Sequence, residues 1–216
     1  MRSNSHDRVR RSGSFQRGQA KQPPYDRILI VCEGEKTEPN YFEEIKHELR
    51  LPTAAVAVVR GDRRTEPLQI VTRAEDKFKE GRAFEQVYVI FDRDEHRTYL
   101  DAIARCEALK LRNDEGRIVD FTPIVSVPLF ELWLLLHFEH VENFAARQDL
   151  VKRLERYIQG YDKGMHGTYA VTRERLEQAR NRAGRLRNRF TSASGEDPWT
   201  NVDLIVDRLT KLRAPA

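Results

Sequence analysis

Three short apolar runs, each followed by a stretch of helical periodicity, restrict the fold of this chain more than any other feature. They are RILIVC (27–32), AAVAVVR (54–60) and QVYVIF (86–91). Runs this rich in Val and Ile, with no polar alternation, are strands buried on both faces, as in a parallel sheet covered by helices on either side. After the first run, Thr37 is placed to cap a helix and Pro39 lies in its first turn. Phe42, Ile45 and Leu49 mark one face to about residue 50. A second helix is expected from Pro67 to Glu80, and Tyr99, Ile103, Cys106 and Leu109–Leu111 carry a third. IVDFTPIV (118–125) reads as a fourth strand, which Pro123, lacking a donor, assigns to an edge. This alternation predicts an α/β fold with a parallel β-sheet flanked by helices.

After residue 128 the character becomes helical: Phe130–Phe138 is almost wholly apolar, and helices are expected over 147–158, 172–190 and 200–213. The expected organisation is a basic arm (1–24), an α/β core (25–128) and an α-helical C-terminal extension packed on that core (129–216). The arm carries Arg2, Arg8, Arg10, Arg11, Arg17 and Lys21 against the single acid Asp7, with almost nothing apolar to bury, so it is expected to be disordered. Its default is a solvated tail, and contact with nucleic-acid phosphates is the functional alternative. The net charge is only +4, so what matters is where the basic residues sit. Two cysteines, Cys32 and Cys106, and no apolar run near the roughly 18 residues of a membrane span point to free thiols, a cytoplasmic protein and no membrane partner.

Ligands of open parallel sheets gather outside the carboxyl ends of the strands, and both notable acidic motifs fall there. Glu33 follows the first strand; Asp92 and Asp94 follow the third, two apart on an extended segment and so aimed the same way. Three hard oxygen donors suit Mg²⁺, which keeps several waters and completes its shell from substrate phosphate. An Asp-x-Asp alone is as readily a cap or a solvated loop. The joint pattern, an acid after each of two central strands, carries the argument.

These residues resemble a known family. ILIVCEGEKTEPNYF (28–42), VYVIFDRDEH (87–96), FELWLLLHF (130–138), YDKG (161–164) and DPWTNVDLIVDRL (197–209) look like an RloB-like protein, of a Toprim-related bacterial family. The resemblance implies a Toprim-like core with Glu33 in general acid/base work and Asp92 and Asp94 on Mg²⁺; Mn²⁺ is the alternative ion, and the sequence does not choose between them. It also implies a role in bacterial defence, restriction or abortive infection. The chain departs from the pattern at VPLFELW, where an Asn-Pro start is expected, and at Trp199, where a smaller polar residue is usual.

Around that centre, Lys36 lies at a helix start where a phosphate is favoured. Glu38 reads as a helix-start acid ahead of a metal ligand, and Glu95 and His96 as further ligands, proton-transfer groups or caps. Lys163, in YDKGMHG, can reach a scissile phosphate from a Gly-rich loop. Glu131, inside an apolar run, needs an ion pair, a hydrogen-bond network or a metal, the ion pair being favoured. His137 and His140 lack the further ligands of a zinc site. Over 172–190, Leu176, Ala179, Ala183, Leu186 and Phe190 form an apolar stripe, with Arg173, Arg180 and Arg187 on one border and Arg175, Arg182 and Arg189 on the other. Such borders suit a phosphate backbone or simply solvate a helix.

The leading expectation is Mg²⁺-dependent hydrolysis of phosphodiester bonds in DNA or RNA. A haloacid-dehalogenase-like phosphatase places its Asp-x-Asp after the first strand, not the third. A topoisomerase or primase needs further domains. No Walker A motif is present, so ATP dependence requires a partner ATPase. The non-enzymatic alternative is a nucleic-acid-binding or partner-docking subunit.

Overall fold

The computed structural model describes residues 26–62, 66–93, 96–143, 145–190 and 198–212. The basic arm (1–24), Asp94 and Glu95 lie outside the described residues. A central sheet runs in the order β2 (Val56–Val59), β1 (Ile28–Cys32), β3 (Gln86–Asp92), β5 (Ile118–Val127), β4 (Lys110–Arg112). The first four pair in parallel; β4 and the short β6 (Trp199–Thr200) both run antiparallel to β5. The architecture is mixed α/β with a mostly parallel sheet flanked by helices, consistent with a Toprim-like fold.

The unbroken apolar run of β1 has the cause expected of it, whereas AAVAVVR yields an edge strand, β2, in which only Val56 is fully buried. Along β1, Ile28, Ile30 and Cys32 face one core layer while Leu29 and Val31 face the other. The second layer is closed by α2 (Pro67–Gly81) and α3 (Tyr99–Ala108) through Ile70, Val71, Phe78 and Cys106. The first is closed by α1 (Thr37–Glu48) with α4 (Glu131–Leu135), α5 (Arg147–Glu155), α6 (Thr168–Thr172), α7 (Leu176–Arg189) and α8 (Val202–Lys211). The C-terminal third is therefore the covering layer of one sheet face. Fully buried Trp133 donates its Nε1–H to Tyr41 Oη at 3.0 Å, tying α4 to α1.

Four local expectations are corrected. Leu109–Leu111 does not continue α3: the helix ends at Ala108 and Lys110–Arg112 pairs with β5. Thr37 is the first helical residue of α1 rather than its cap, and no side chain caps that end. β5 is not an edge strand, because it lies between β3 and β4. Pro123 is tolerated there because it falls between the two antiparallel partners, β4 covering Ile118–Asp120 and β6 covering Ser126 and Val127. Asn201 fills that gap, accepting from Val125 N–H (2.8 Å) and donating to the Pro123 carbonyl (3.0 Å). The helix expected over 172–190 is three pieces: α6, a 3₁₀ turn at Arg173–Arg175, and α7. Thr172 Oγ1 bonds back to the Thr168 carbonyl at 2.7 Å, a pairing that competes with helix continuation.

Candidate metal centre

At the carboxyl end of the sheet, the ladder itself positions Glu33. Its N–H continues the β1–β3 pairing to the Ile90 carbonyl (2.8 Å), and its Oε2 accepts the N–H of Asp92 at 3.0 Å. Oε1 stands 3.0 Å from His96 Nε2, and His96 Nδ1 is 3.3 Å from Glu66. Glu66 is also the residue before α2, where it forms a capping box with Gln69 and accepts from Thr98 Oγ1 (3.0 Å). One helix start thus holds the imidazole that faces Glu33. On the other side, Gly61 comes so close to the Glu33 backbone that a Cβ there stands 1.6 Å from its carbonyl oxygen. No side chain fits that crossing.

Asp92 is the last residue of β3, level with Ser126 of β5. Two carboxylates from outside the strands join it. Glu38, in the first turn of α1, is 6% exposed, and Glu131, opening α4, is 2% exposed. Burial, then the charges of Glu38, Glu131 and Glu33, push Asp92 well above the usual carboxylate range, against the Phe130 N–H that bonds it. Burial, then Glu131 and Glu33, raise Glu38 to about 7, while Lys163 acts in the opposite sense. Glu131 accepts from Tyr161 Oη (3.1 Å) and lies 3.6 Å from Lys163 Nζ. The favoured ion pair for Glu131 is thus present, through a lysine that keeps half its side chain exposed. Burial and Glu131 raise Tyr161 in turn, so its hydroxyl stays a donor.

The loop bearing Lys163 is fastened to α1. Asn40 Nδ2 donates to the Gly164 carbonyl (2.8 Å), and Arg60 Nη1 reaches both Asn40 Oδ1 (2.9 Å) and the Glu35 carbonyl (2.8 Å). Gly164 has φ +85°, and a Cβ there meets Lys36 Cβ at 2.5 Å, so the Lys36 stem packs directly on this loop.

Of the residues singled out from sequence, Glu33, Asp92 and Lys163 come together with Lys36 alongside. The five arginines do not join them. Arg187 forks onto Asp203 at 2.5 and 2.6 Å and bonds the Thr200 carbonyl; Arg180 is paired with Glu177 and Asp207. Arg182 bonds the Leu136 carbonyl (2.7 Å), Arg173 pairs with Glu48 (2.6 Å), and Arg175 lies over the Phe138 ring. Arg180 and Arg187 are ties between α7 and the residues at and before α8. The 3₁₀ turn takes Arg173 and Arg175 off α7, so the two seven-residue borders are not continuous.

Glu38, read from sequence as a helix-start acid with metal ligation as its second reading, sits at a helix start whose residues Glu38–Phe42 are all buried, so the acid has no solvent side to occupy. Among the described residues, no three His, Cys, Asp or Glu side chains close around a metal as they stand. The donor set nonetheless fits a hard divalent cation. Four carboxylates from the end of β1, α1, β3 and α4 converge, Glu38 and Glu131 almost wholly buried, with Glu38 and Asp92 both raised by burial and by the neighbouring acids and Lys163 close to Glu131. Mg²⁺ asks for only one or two carboxylates, taking water and phosphate for the rest.

These features define an α/β protein with an acidic centre at the carboxyl ends of parallel strands. Residues 28–209 match the family described as RloB-like protein, and the chain belongs to that family. No curated protein and no solved structure matches it. Among the described residues no helix is long and apolar enough to cross a membrane.

Proposed function

We propose that this chain is a Mg²⁺-dependent nuclease, with Mn²⁺ as substitute, that hydrolyses phosphodiester bonds in DNA or RNA. The observation that carries the reading is the convergence of Glu33, Glu38, Asp92 and Glu131 beside Lys163, with Glu38 and Glu131 almost wholly buried and Glu38 and Asp92 raised by that burial. Asp92, with Glu38 and Glu131 beside it and Asp94 two residues on, would hold the ion. A bound Mg²⁺ there supplies polarisation of the phosphate and a more acidic water. Glu33 is the proton acceptor: Asp92 N–H fixes its Oε2, and its Oε1 faces His96, which Glu66 orients and with which a proton can be shared. Lys163, half exposed, is placed to neutralise charge developing on phosphate oxygens. The setting in bacterial defence, and any ATP dependence supplied by a partner ATPase, extend the family resemblance.

The test is cleavage of plasmid, single-stranded DNA, structured RNA and tRNA in Mg²⁺, Mn²⁺ or EDTA. Metal-dependent cleavage is expected, lost in Asp92→Ala and reduced about 10²–10⁴-fold in Glu33→Gln. Cleavage unchanged in both variants sinks the reading. Metal-independent binding with no turnover on any substrate supports a binding or docking subunit instead.

A further inference from the structure

A second charged feature lies at the opposite end of α4 from Glu131. The arginines of α7 divide by face. Arg180 and Arg187 are spent on Asp207 and Asp203, whereas Arg182, Arg185 and Arg189, spaced i, i+3 and i+7, turn toward the chain leaving α4. There they line a hollow of about 100 Å³ together with His140 and one acid, Glu142. Among the described residues none of these three arginines has a carboxylate partner. Elsewhere, Arg27, Arg73, Arg105, Arg117, Arg153 and Arg208 are all paired with acids.

We infer that this hollow is an anion site that seats one phosphate group of a nucleic-acid strand, gripped by Arg182, Arg185 and Arg189. Its size selects a single group: pockets that enclose whole small molecules run to roughly 300–1,000 Å³. Arg182 is fixed by its bond to the Leu136 carbonyl, so little freedom is lost when its remaining N–H groups engage an oxyanion. The exposed Arg185 and Arg189 bring two further planar forks, the geometry that matches phosphate oxygens. The local field agrees: beyond the effect of burial, Arg182 and Arg175 hold buried His137 down. Glu131 opens α4 and Leu136 closes it, a separation of roughly 7–8 Å at about 1.5 Å per residue. The inference rests on the nucleic-acid reading above and assigns the strand its anchor.

The experiment is phenylglyoxal modification of the wild-type full-length protein in EDTA, mapped by peptide mass spectrometry. It is run alone, with a single-stranded DNA or RNA 20-mer, and with inorganic pyrophosphate. Expected is slowed modification of Arg185 and Arg189 by an oligonucleotide, with Arg82 and Arg112 unaffected. In parallel, Arg185→Gln/Arg189→Gln should lower the slope of log affinity against log salt by about 0.7 for each phosphate no longer neutralised, while Lys77→Gln/Lys79→Gln leaves it unchanged. Protection by pyrophosphate alone overturns the strand assignment and leaves a small-oxyanion pocket; protection by neither overturns the site. Because no metal is present, these outcomes are independent of whether Asp92→Ala abolishes cleavage.

Discussion

The acidic centre should make the metal-free protein less stable than its fold allows, and Glu38→Gln should recover the difference. Glu38 titrates at about 7 in the folded protein against an ordinary 4.5. A group whose folded value is raised contributes stability that is fully present below the unfolded value and is lost as pH rises through the folded one. The window is therefore about pH 4.5 to 7. At 1.36 kcal/mol per pH unit, the shift of about 2.5 units amounts to a loss on the order of 3 kcal/mol by pH 8. Gln keeps the shape that packs against Gly34 but has no charge to bury, so its stability should not fall this way. Asp92, also raised, adds a loss of the same sign, and its share shrinks in the variant because Glu38 is its largest charged neighbour. The assay is urea unfolding in EDTA at pH 5 and pH 8. Since part of the loss precedes pH 5, wild type should lose about 2–3 kcal/mol more than Glu38→Gln between these values, which at about 2–4 °C per kcal/mol is a melting difference of roughly 4–12 °C. Adding Mg²⁺ at pH 8 should stabilise wild type more than the variant. Parallel pH curves for the two proteins refute the argument that Glu38 is held at a charge-repelling, desolvated site.

Three further outcomes follow from the same geometry. Gly61→Ala forces a Cβ onto the Glu33 backbone, so it should cost about 1–3 kcal/mol in urea unfolding and abolish cleavage with every acidic ligand intact. His137, whose Nδ1–H donates to the Trp133 carbonyl (3.0 Å), is held down to about 4 by burial. Its stabilisation is present above pH 6.5 and lost toward pH 4, so wild type should lose on the order of 3 kcal/mol more than His137→Leu over that window in the same assay. Arg187→Ala leaves Asp203 buried and unpaired, and thermal unfolding should show a loss near the lower end of the ~3–5 kcal/mol seen when a buried pair is broken, since Arg187 is 25% exposed.

Strand ends were legible because their logic is local: an apolar run buried on both faces must end where its first acid stands, and alternation then aims that acid at the sheet's edge. Glu33 and Asp92 needed nothing more. Glu38 and Glu131 depend on α1 and α4 meeting over β1 and β3, a tertiary fact that no spacing within either helix encodes. Pro123 shows the same limit from the other direction. The rule that places it at an edge concerns only its missing donor, and the residue that makes an interior position tolerable, Asn201, lies 78 residues away. The arginines are the sharpest case. Seven-residue spacing correctly implies a shared face only while the helix is unbroken, and the turn at Arg173–Arg175 removes two members. Even on α7, spacing states which side a guanidinium occupies and not what waits there: acids for Arg180 and Arg187, an open hollow for Arg185 and Arg189. What separates a tie from a site is whether the partner is already in the fold. Among the described residues, the carboxylates around Asp92 meet that test from the acidic side, Glu38 and Glu131 buried beside one another, and the three arginines meet it from the basic side.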